Sequence, residues 1–119
     1  MTNEETDLIE ITVKSHVESR LDCPVHMEYP QGDAPEYFVI LDRTDGSRES
    51  HIASGTFLAQ SYGPSKLGAA LLHEKVKQAM DSLYQLPRVA ALELIGDYPF
   101  PDTKHNRYRY QAVYEITYY

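Results

Sequence analysis

The sequence predicts an α+β fold, a two-layer α/β sandwich in which two helices cover one face of a mostly antiparallel four-stranded sheet. Two segments have the apolar spacing of amphipathic helices, and four have the composition or the alternation of strands. They follow one another in the order helix, strand, strand, helix, strand, strand. Because two hairpin-like pairs joined by a helix place both helices on one side, the second face of the sheet is predicted to have no helical cover.

The first helix is predicted over residues 6–21. Thr6 or Asp7 can cap its N-terminus, and one apolar stripe recurs every four residues, formed by Ile9, Val13, Val17 and Leu21. The residues before the helix, 1–5, are expected to be disordered. After it, residues 22–36 contain three prolines and one glycine, which excludes a helix and predicts a loop, with room for a short extended piece around Val25–Tyr29.

The first pair of strands is predicted to form a hairpin that turns at Asp45 and Gly46. Residues 37–41 have apolar side chains on both faces, which is typical of a central strand. Asp-Gly is a sequence that favours the positive φ angles of a tight two-residue turn. The return strand is less regular, and Gly55 is predicted as the site of a bulge that redirects it.

The second helix is predicted to begin after Ser65, its expected N-cap, and to be closed by Pro87. Its buried stripe is made of Leu72, Val76, Ala79 or Met80, and Leu83. A third strand over residues 89–98 and a loop containing Pro99 and Pro101 precede the last strand.

The last strand is predicted over residues 107–119, about 13 residues and roughly twice the usual strand length. One face carries Tyr108, Tyr110, Ala112, Tyr114, Ile116 and Tyr118, and the other carries Arg107, Arg109, Gln111, Val113, Glu115 and Thr117. The length and the mixed polar face predict a sheet edge that takes part in assembly. We expect the tyrosines to pack under the helices or against a neighbouring subunit, since tyrosine buries its ring while its hydroxyl finds a partner.

The overall composition limits the functions that the chain can have. Its 119 residues suffice for a single domain with its own core, over residues 1–119. The 18 acidic side chains outnumber the 11 Lys and Arg and give a net charge of −7, opposite to that of a typical nucleic-acid binder. Cys23 is the single cysteine, which favours a reducing compartment, and neither a signal peptide nor an apolar run of about 20 residues is present. We therefore expect a cytosolic protein without a membrane partner.

No pattern of residues predicts a catalytic, cofactor or metal site. The five histidines are too widely spaced to share a helical face, so a zinc site would need ligands from unrelated elements. Asp102 and His105 lie in one loop and can act as a general acid–base pair, although both residue types are also common in turns. Phosphate-binding glycine loops and nucleophile motifs are absent. The Tyr and Arg alternation over 107–110 can stack bases, but these tyrosines share their face with Ala112, which favours burial.

Local signatures along residues 5–119 resemble those of a known family. The first part has a helix that ends near a proline-containing segment and a strand that runs into Arg-Thr-Asp-Gly at 43–46. A Phe-Leu-Ala-Gln-Ser-Tyr strand at 57–62 then leads into a helix that contains Leu71, Leu72 and Val76. The last part has a Tyr-Pro-Phe-Pro-Asp loop at 98–102, followed by Arg-Tyr-Arg-Tyr-Gln-Ala at 107–112. This layout resembles that of the small tail-terminator proteins of long-tailed bacteriophages and prophages, which are also called tail-completion or head–tail joining proteins.

The resemblance implies a structural protein of the virion, assembled in the bacterial cytoplasm, with no enzyme activity and no cofactor. Proteins of this family form a hexameric ring that caps the tail tube and presents a surface to the head connector. The implied partners are therefore further copies of the chain, the tail tube protein and the head–tail connector protein. DNA would pass through the channel without specific binding, and acidic side chains facing the channel would repel it.

By the same resemblance, two protruding elements and the last strand are the expected contact regions. The hairpin turn and the 97–106 loop would protrude, and the polar face of the last strand would lie near subunit contacts. The candidate interaction residues are Asp45, Gly46, Asp102, His105, Arg107, Arg109, Gln111 and Glu115.

A second hypothesis is a small α/β ligand-binding or enzymatic domain that uses the 97–106 loop and the open sheet face as a pocket. It predicts a concave site with interacting titratable groups, such as Asp102 with His105 or Glu93 with Arg109. Unchanged assembly and phage viability after replacement of His105 by Ala would count against this hypothesis.

Overall fold

A computed structural model describes residues 8–119 of the chain. The predicted disorder of residues 1–5 and the predicted caps Thr6 and Asp7 lie outside the described residues. In chain order, the elements are α1 (Ile9–Glu18), β1 (Val25–His26), β2 (Phe38–Glu49), β3 (Ile52–Gly63), α2 (Lys66–Asp81), a 3-10 helix (Ser82–Gln85), β4 (Val89–Pro99) and β5 (Tyr108–Tyr118). None of the helices in this part of the chain combines the length and the apolar character that a membrane crossing requires.

The structure is α+β, as predicted, but its sheet is mixed and has five strands instead of four. The strand order is β1-β2-β3-β5-β4, in which β1 runs parallel to β2 and all other neighbours are antiparallel. The additional strand is β1, whose residues Val25 and His26 pair with Val39 and Ile40. It lies in the short extended piece expected around Val25–Tyr29, but two residues have no periodic pattern from which their pairing with β2 could be predicted. Both helices lie on one face of the sheet, with α2 on β3 and β5 and α1 beside β1 and β2.

The main core lies between the helices and the sheet. The predicted stripe of α1 is buried at Ile9, Val13 and Val17, whereas the helix ends at Glu18 and leaves Leu21 half-buried beyond it. The end of α1 is fixed by Glu18, whose carboxylate accepts a hydrogen bond of 3.1 Å from the backbone N–H of Val25. The first helix is therefore shorter than predicted because its last turn is replaced by the connection to β1.

The second helix buries the face that its pattern predicts, and β5 buries its predicted face from Ala112 onward, whereas Tyr110 is half-buried and Tyr108 is 50% exposed. Ser65 caps α2, since its Oγ accepts a hydrogen bond of 3.0 Å from the backbone N–H of Gly68. Leu83 lies in the 3-10 helix that continues α2. The buried side chains of these elements include Leu72, Val76, Ala79, Met80 and Leu83, and from β5 Ala112, Tyr114, Ile116 and Tyr118.

The hairpin of β2 and β3 turns later than predicted. Asp45 and Gly46 lie inside β2, and the strand pairing continues as far as Glu49 and Ile52. The chain turns instead around Ser50, whose φ is 57°. The turn preference of Asp-Gly is overridden because β3 is paired with β5 along the same stretch, so a longer β2 extends an existing ladder.

The bulge of this hairpin lies on the strand opposite to the predicted one. The register shifts between Arg43 and Asp45, which leaves Thr44 as the extra residue, whereas Gly55 has a regular partner in Gly46. A Cβ atom at Gly55 would lie 3.0 Å from the carbonyl oxygen of Asp45. Gly55 therefore allows a close approach of the two backbones, and the prediction of a bulge there is wrong.

The tyrosine-rich strand β5 lies in the middle of the sheet, between β3 and β4, and not at the predicted edge. Its second face is largely covered too, because Gln111 is buried there and Glu115 is half-buried. One edge is β4, and the other is formed by the short β1 and by the part of β2 that continues beyond its pairing with β1. Two register shifts interrupt β4, next to Ala90 and Ile95, and such bulges hinder pairing with a strand of another chain.

The loop of residues 22–36 covers one end of the second sheet face. Phe38, Ile40 and Tyr62 form a small buried cluster there, against which Tyr29 packs. The rings of Phe38 and Tyr62 are stacked, with centroids 4.3 Å apart and an interplanar angle of 11°. The part of this face that the loop leaves uncovered is called the open face below.

Candidate functional site

The predicted interaction residues lie in three separate places. Asp45 and Gly46 are in the edge strand β2, and Gln111 and Glu115 are in β5 on the open face. The other four meet at one end of the sheet, where they form the loop cluster together with four aromatic residues. The members of the loop cluster are Asp102, His105, Arg107, Arg109, Tyr29, Phe38, Tyr62 and Phe100.

Asp102 is at the centre of the loop cluster. Its backbone forms an isolated antiparallel bridge with Arg107, in which each N–H donates to the carbonyl oxygen of the other residue over 3.0 Å. Asn106 has a φ of 54° and completes the tight turn between them. The Asp102 carboxylate accepts hydrogen bonds from the Tyr62 hydroxyl over 2.7 Å and from the backbone N–H of His105 over 3.1 Å. Nδ1 of His105 lies 2.9 Å from the same carboxylate, so the two residues are paired as predicted.

Burial and hydrogen bonding act in opposite directions on the Asp102 carboxyl group. Burial alone would raise its pKa, but the hydrogen bonds from Tyr62 and His105 and the charge of Arg109 outweigh burial and hold the pKa below its ordinary value. Burial, and then the hydrogen bond to Asp102, raise the pKa of the Tyr62 hydroxyl. Asp102 is therefore a carboxylate, Tyr62 is a neutral donor, and protein groups already occupy both carboxylate oxygens.

The two arginines of the loop cluster bind carbonyl groups of other segments. Arg107 donates to the carbonyl oxygen of Glu36 over 2.7 Å. Arg109 donates from Nε to the carbonyl oxygen of Phe100 over 2.6 Å and from Nη1 to the Tyr62 hydroxyl over 3.0 Å. Its guanidinium carbon also lies 4.3 Å from the centroid of the Phe100 ring. These contacts connect the 22–36 loop and the end of β4 to the start of β5.

The imidazole of His105 stacks on the ring of Tyr29, with centroids 3.6 Å apart and an interplanar angle of 7°. A cavity of about 490 Å³ opens beside the loop cluster, lined in part by Lys66, Asp102 and Tyr108. The second predicted pair, Glu93 with Arg109, does not form, because Arg109 is bound within the loop cluster and Glu93 faces β5 residue Glu115.

The open face consists of rows of side chains that cross four strands. One row contains Ile40, Gln60, Gln111 and Tyr98 in neighbouring strands. Nε2 of Gln60 donates to Oε1 of Gln111 over 2.8 Å, and Nε2 of Gln111 donates to the Tyr98 hydroxyl over 2.6 Å. The predicted interaction residue Gln111 is therefore part of an amide chain that joins β3, β5 and β4.

A second row of the open face is acidic. It contains Asp45, Thr56, Glu115 and Glu93 in neighbouring strands. Oδ1 of Asp45 accepts a hydrogen bond of 3.1 Å from the backbone N–H of Thr56, whose hydroxyl donates to Glu115 over 3.1 Å. Glu115 and Glu93 lie directly opposite each other, and like charges in that position repel.

A buried polar network beneath α2 was not predicted. Nδ1 of His73 lies 3.0 Å from the Ser61 hydroxyl, and its Nε2 lies 2.8 Å from Oδ1 of Asp97. Lys77 donates to the other oxygen of Asp97 over 2.7 Å. Burial lowers the pKa of His73 more than Asp97 raises it, so the ring is neutral, donates from Nε2 to Asp97 and accepts from Ser61. The order Ser, His, Asp is that of a catalytic triad, but Ser61 is 0% exposed, so no substrate reaches its hydroxyl in this structure.

Two sequence signals could have indicated this network. Ser61 is a polar residue at an inward position of an otherwise apolar strand, and His73 directly follows Leu72 of the buried stripe. Buried polar side chains require partners, so their coincidence on adjacent elements suggests a contact. Asp97 gives no such signal, because it reaches the helix-covered face, opposite Ala112, only through the bulge at Ile95, which alternation along the strand does not reveal. Within residues 8–119, no three His, Cys, Asp or Glu side chains are grouped in a way that could hold a metal ion.

Comparisons with known proteins do not connect this geometry with a family. No protein-family model matches the sequence, and no curated protein gives a significant match to it. The function must therefore be inferred from the surfaces of the chain and from the local sequence signatures described above.

Proposed function

We propose that this chain is a structural subunit that assembles into a ring, caps the tail tube of a long-tailed bacteriophage or prophage, and joins it to the head connector. The observation that carries the proposal is the charge of the open face. In this arrangement the open face lines the central channel, the helices lie outside, and the chain has neither a catalytic role nor a cofactor.

The two layers differ in the balance of their charged groups. Glu93 and Glu115 project from the open face, whereas Arg107 and Arg109, on the same side of the sheet, are bound within the loop cluster. The helices are balanced instead, because Lys14, Lys66, Lys75 and Lys77 are matched by Glu10, Glu18, Glu74 and Asp81. An acidic channel wall repels the phosphate backbone of DNA, so a duplex can pass without being retained.

The covered end of the sheet suits a contact with a partner protein. The loop cluster makes the 99–107 segment rigid through hydrogen bonds, an aromatic stack and a cation–π contact. A pre-organised protruding loop loses little conformational entropy on binding. We assign this end of the sheet to the contact with the tail tube or the connector, in agreement with the placement of Asp102 and His105 among the candidate interaction residues.

Electron microscopy of the purified protein, alone and mixed with tail tubes that lack a terminator, tests the proposal. We expect rings near six subunits and tubes capped at one end. Tubes that remain uncapped at saturating protein would contradict the proposal. The variant Glu115→Lys adds a test of the channel: its assemblies should retain duplex DNA at low salt and release it as salt rises, whereas wild-type assemblies should not retain it.

A ligand-binding or enzymatic domain is the second candidate. The pairing of Asp102 with His105 beside a cavity of about 490 Å³ favours it, because this is the kind of concave site that hypothesis requires. The variant His105→Ala separates the two candidates. Ring formation, which the loop cluster does not mediate, should persist in it if the chain is a terminator. Unchanged ring formation and unchanged tube capping would together count against a ligand-binding or catalytic role of the imidazole.

A further inference from the structure

An exposed apolar patch lies on α2, away from the side that meets the sheet. It is called the leucine patch and is formed by Leu21, Tyr37, Leu67 and Leu71. Leu67 and Leu71 are one helical turn apart and are 69% and 59% exposed. A cavity of about 330 Å³ adjoins them, lined in part by Leu21, Tyr37 and Leu71. Apolar patches of this kind with polar rims mark interaction sites on soluble proteins.

A second apolar patch lies along the end of the edge strand β4. It is called the β4 patch and is formed by Leu94, Ile95, Tyr98 and Phe100, all of them exposed. Ile95 is the extra residue of a bulge, so its side chain, which is 54% exposed, projects from the edge of the sheet. The rings of Tyr98 and Phe100 meet edge to face, with centroids 6.1 Å apart.

The two patches lie on opposite sides of the molecule. The leucine patch lies beside the start of β2, because Tyr37 directly precedes that strand. The β4 patch lies on the edge strand β4, and β3 and β5 separate β4 from β2. A contact between the leucine patch of one copy and the β4 patch of the next uses a different surface on each copy. Such a contact is head-to-tail and can repeat around an axis.

The charges beside the two patches are complementary. Arg20 and Lys75 line the cavity at the leucine patch, together with Asp22. At the β4 patch, Glu93 and Glu115 repel each other across the strand pair, and neither forms an ion pair within residues 8–119. Glu93 lies in the edge strand β4, where a second copy can approach it, whereas Glu115 lies in the interior strand β5 and stays on the channel wall. A cation that a second copy supplies to Glu93 would relieve this repulsion and steer the basic side of one copy toward the acidic edge of the next.

We propose that the leucine patch of one copy of this chain binds the β4 patch of the next, and that this contact is the repeating interface of the ring. The inference rests on the ring-forming function proposed above and identifies its subunit interface. The contact is made by side chains and not by strand pairing, because bulges interrupt both edge strands, at Thr44 in β2 and near Ile95 in β4.

A mixing experiment with two variants, followed by sedimentation velocity, tests this interface. Leu71→Glu disables the leucine patch and keeps the β4 patch, and Ile95→Glu does the reverse. Because both side chains are exposed, the variants should fold, which circular dichroism verifies. The matched control is Tyr84→Glu, which places the same charge at a side chain that is 70% exposed and belongs to neither patch.

Wild type and Tyr84→Glu should form the same concentration-dependent oligomers. Each interface variant alone should stay monomeric, with self-association weakened at least about tenfold, the loss that removal of one interface anchor produces. An equimolar mixture of the two variants should form dimers and nothing larger, because each mixed pair retains one intact contact. The proposal would be overturned if Leu71→Glu or Ile95→Glu alone formed the same oligomers as wild type. It would also be overturned if wild type were monomeric at every concentration.

The outcome for the interface is separate from the outcome for the proposed function. Leu71→Glu rings in electron micrographs would overturn the interface and leave the tail-terminator proposal intact. Wild-type oligomers that Leu71→Glu abolishes, but that do not cap tail tubes, would support the interface and contradict the terminator.

Discussion

Nε2 of His73 lies 2.8 Å from Oδ1 of Asp97, and this contact joins α2 to the edge strand β4 beneath the surface of the molecule. Lys77 binds the other oxygen of Asp97 from one turn further along the helix. The carboxylate is thus held between a neutral donor and a cation, both from α2. The position of β4 relative to the helix is therefore determined by polar contacts as well as by apolar packing.

The free energy of unfolding should fall as the pH is lowered below about 6.5, the ordinary pKa of histidine. Burial lowers the pKa of folded His73, so below its ordinary value the unfolded chain binds a proton that the folded chain does not. Asp97, Glu74, Lys77, Ser61 and Tyr110 face the ring. The stability that neutral His73 contributes is thus fully present above the pKa of His73 in the unfolded chain. It is lost as the pH decreases toward the lower pKa of His73 in the folded chain.

Urea unfolding at a series of pH values from about 7.5 to about 5.5 measures this dependence, because this range brackets the ordinary histidine pKa of about 6.5. The variant His73→Gln should have a flatter profile over the same range. Burial also lowers the pKa of His16, so some dependence should remain in the variant. A profile of His73→Gln as steep as that of wild type would contradict the assignment.

The variant Tyr62→Phe should destabilise the loop cluster. The Tyr62 hydroxyl donates to Asp102 and accepts from Arg109, so its removal leaves a buried carboxylate with one donor fewer. We expect a loss of about 1–3 kcal/mol in the free energy of unfolding. The pKa of Asp102 should rise toward its ordinary value, as measured by an NMR titration of the carboxyl group. Tyr84→Phe, at an exposed position, should change stability by less than about 0.5 kcal/mol.

The variant Gly63→Ala should be strongly destabilised, because the end of β3 passes close to the first turn of α2. A Cβ atom at Gly63 would lie 2.5 Å from the backbone nitrogen of Ala69, and backbone atoms cannot move aside as a side chain can. We expect a loss of about 1–3 kcal/mol or more in denaturant unfolding. In the control Gly96→Ala, the nearest atom is a side-chain carbon of Val113 at 3.3 Å, so the loss should be smaller.

The variant Glu93→Gln should have opposite effects on the isolated subunit and on its assembly. Removal of one of two facing carboxylates relieves repulsion within the chain and should stabilise the monomer by about 0.2–1 kcal/mol. Loss of the same charge should weaken association with the basic side of the next copy. Thermal unfolding at low concentration measures the first effect and sedimentation the second. Equal changes at high and low salt would contradict an electrostatic origin.

The sequence predicted the parts of the fold that depend on periodicity. The stripes of both helices, the Ser65 cap and the inward face of β5 follow from spacing or from a local hydrogen bond, and the structure contains all of them. The turn at Asp45 and Gly46 was wrong because pairing with β5 extended the hairpin. The turn preference of two residues contributes less free energy than the additional hydrogen bonds of a longer strand pair.

The arrangement of the site was less predictable than the fold. The pairing of Asp102 with His105 is local in sequence, and it was expected. The contact of Asp102 with Tyr62 spans 40 residues and depends on the strand order, which alternation within one strand does not reveal. For the same reason, β5 was predicted at an edge: its pattern indicates that one face is buried but not which strands lie beside it.

If copies of the chain associate as proposed, the central position of β5 also determines when the β4 patch can form. During synthesis, β3 and β4 have no shared neighbour until residues 108–118 have emerged from the ribosome, because β5 lies between them. The pairing of Ala53 with Tyr118 spans more than half of the chain, and contacts of such long range form slowly. A nascent chain without β5 would lack a fixed position for β4 and for the apolar side chains at its edge. Under the proposed interface, a chain whose β5 is not yet paired would therefore lack one of its two contact patches.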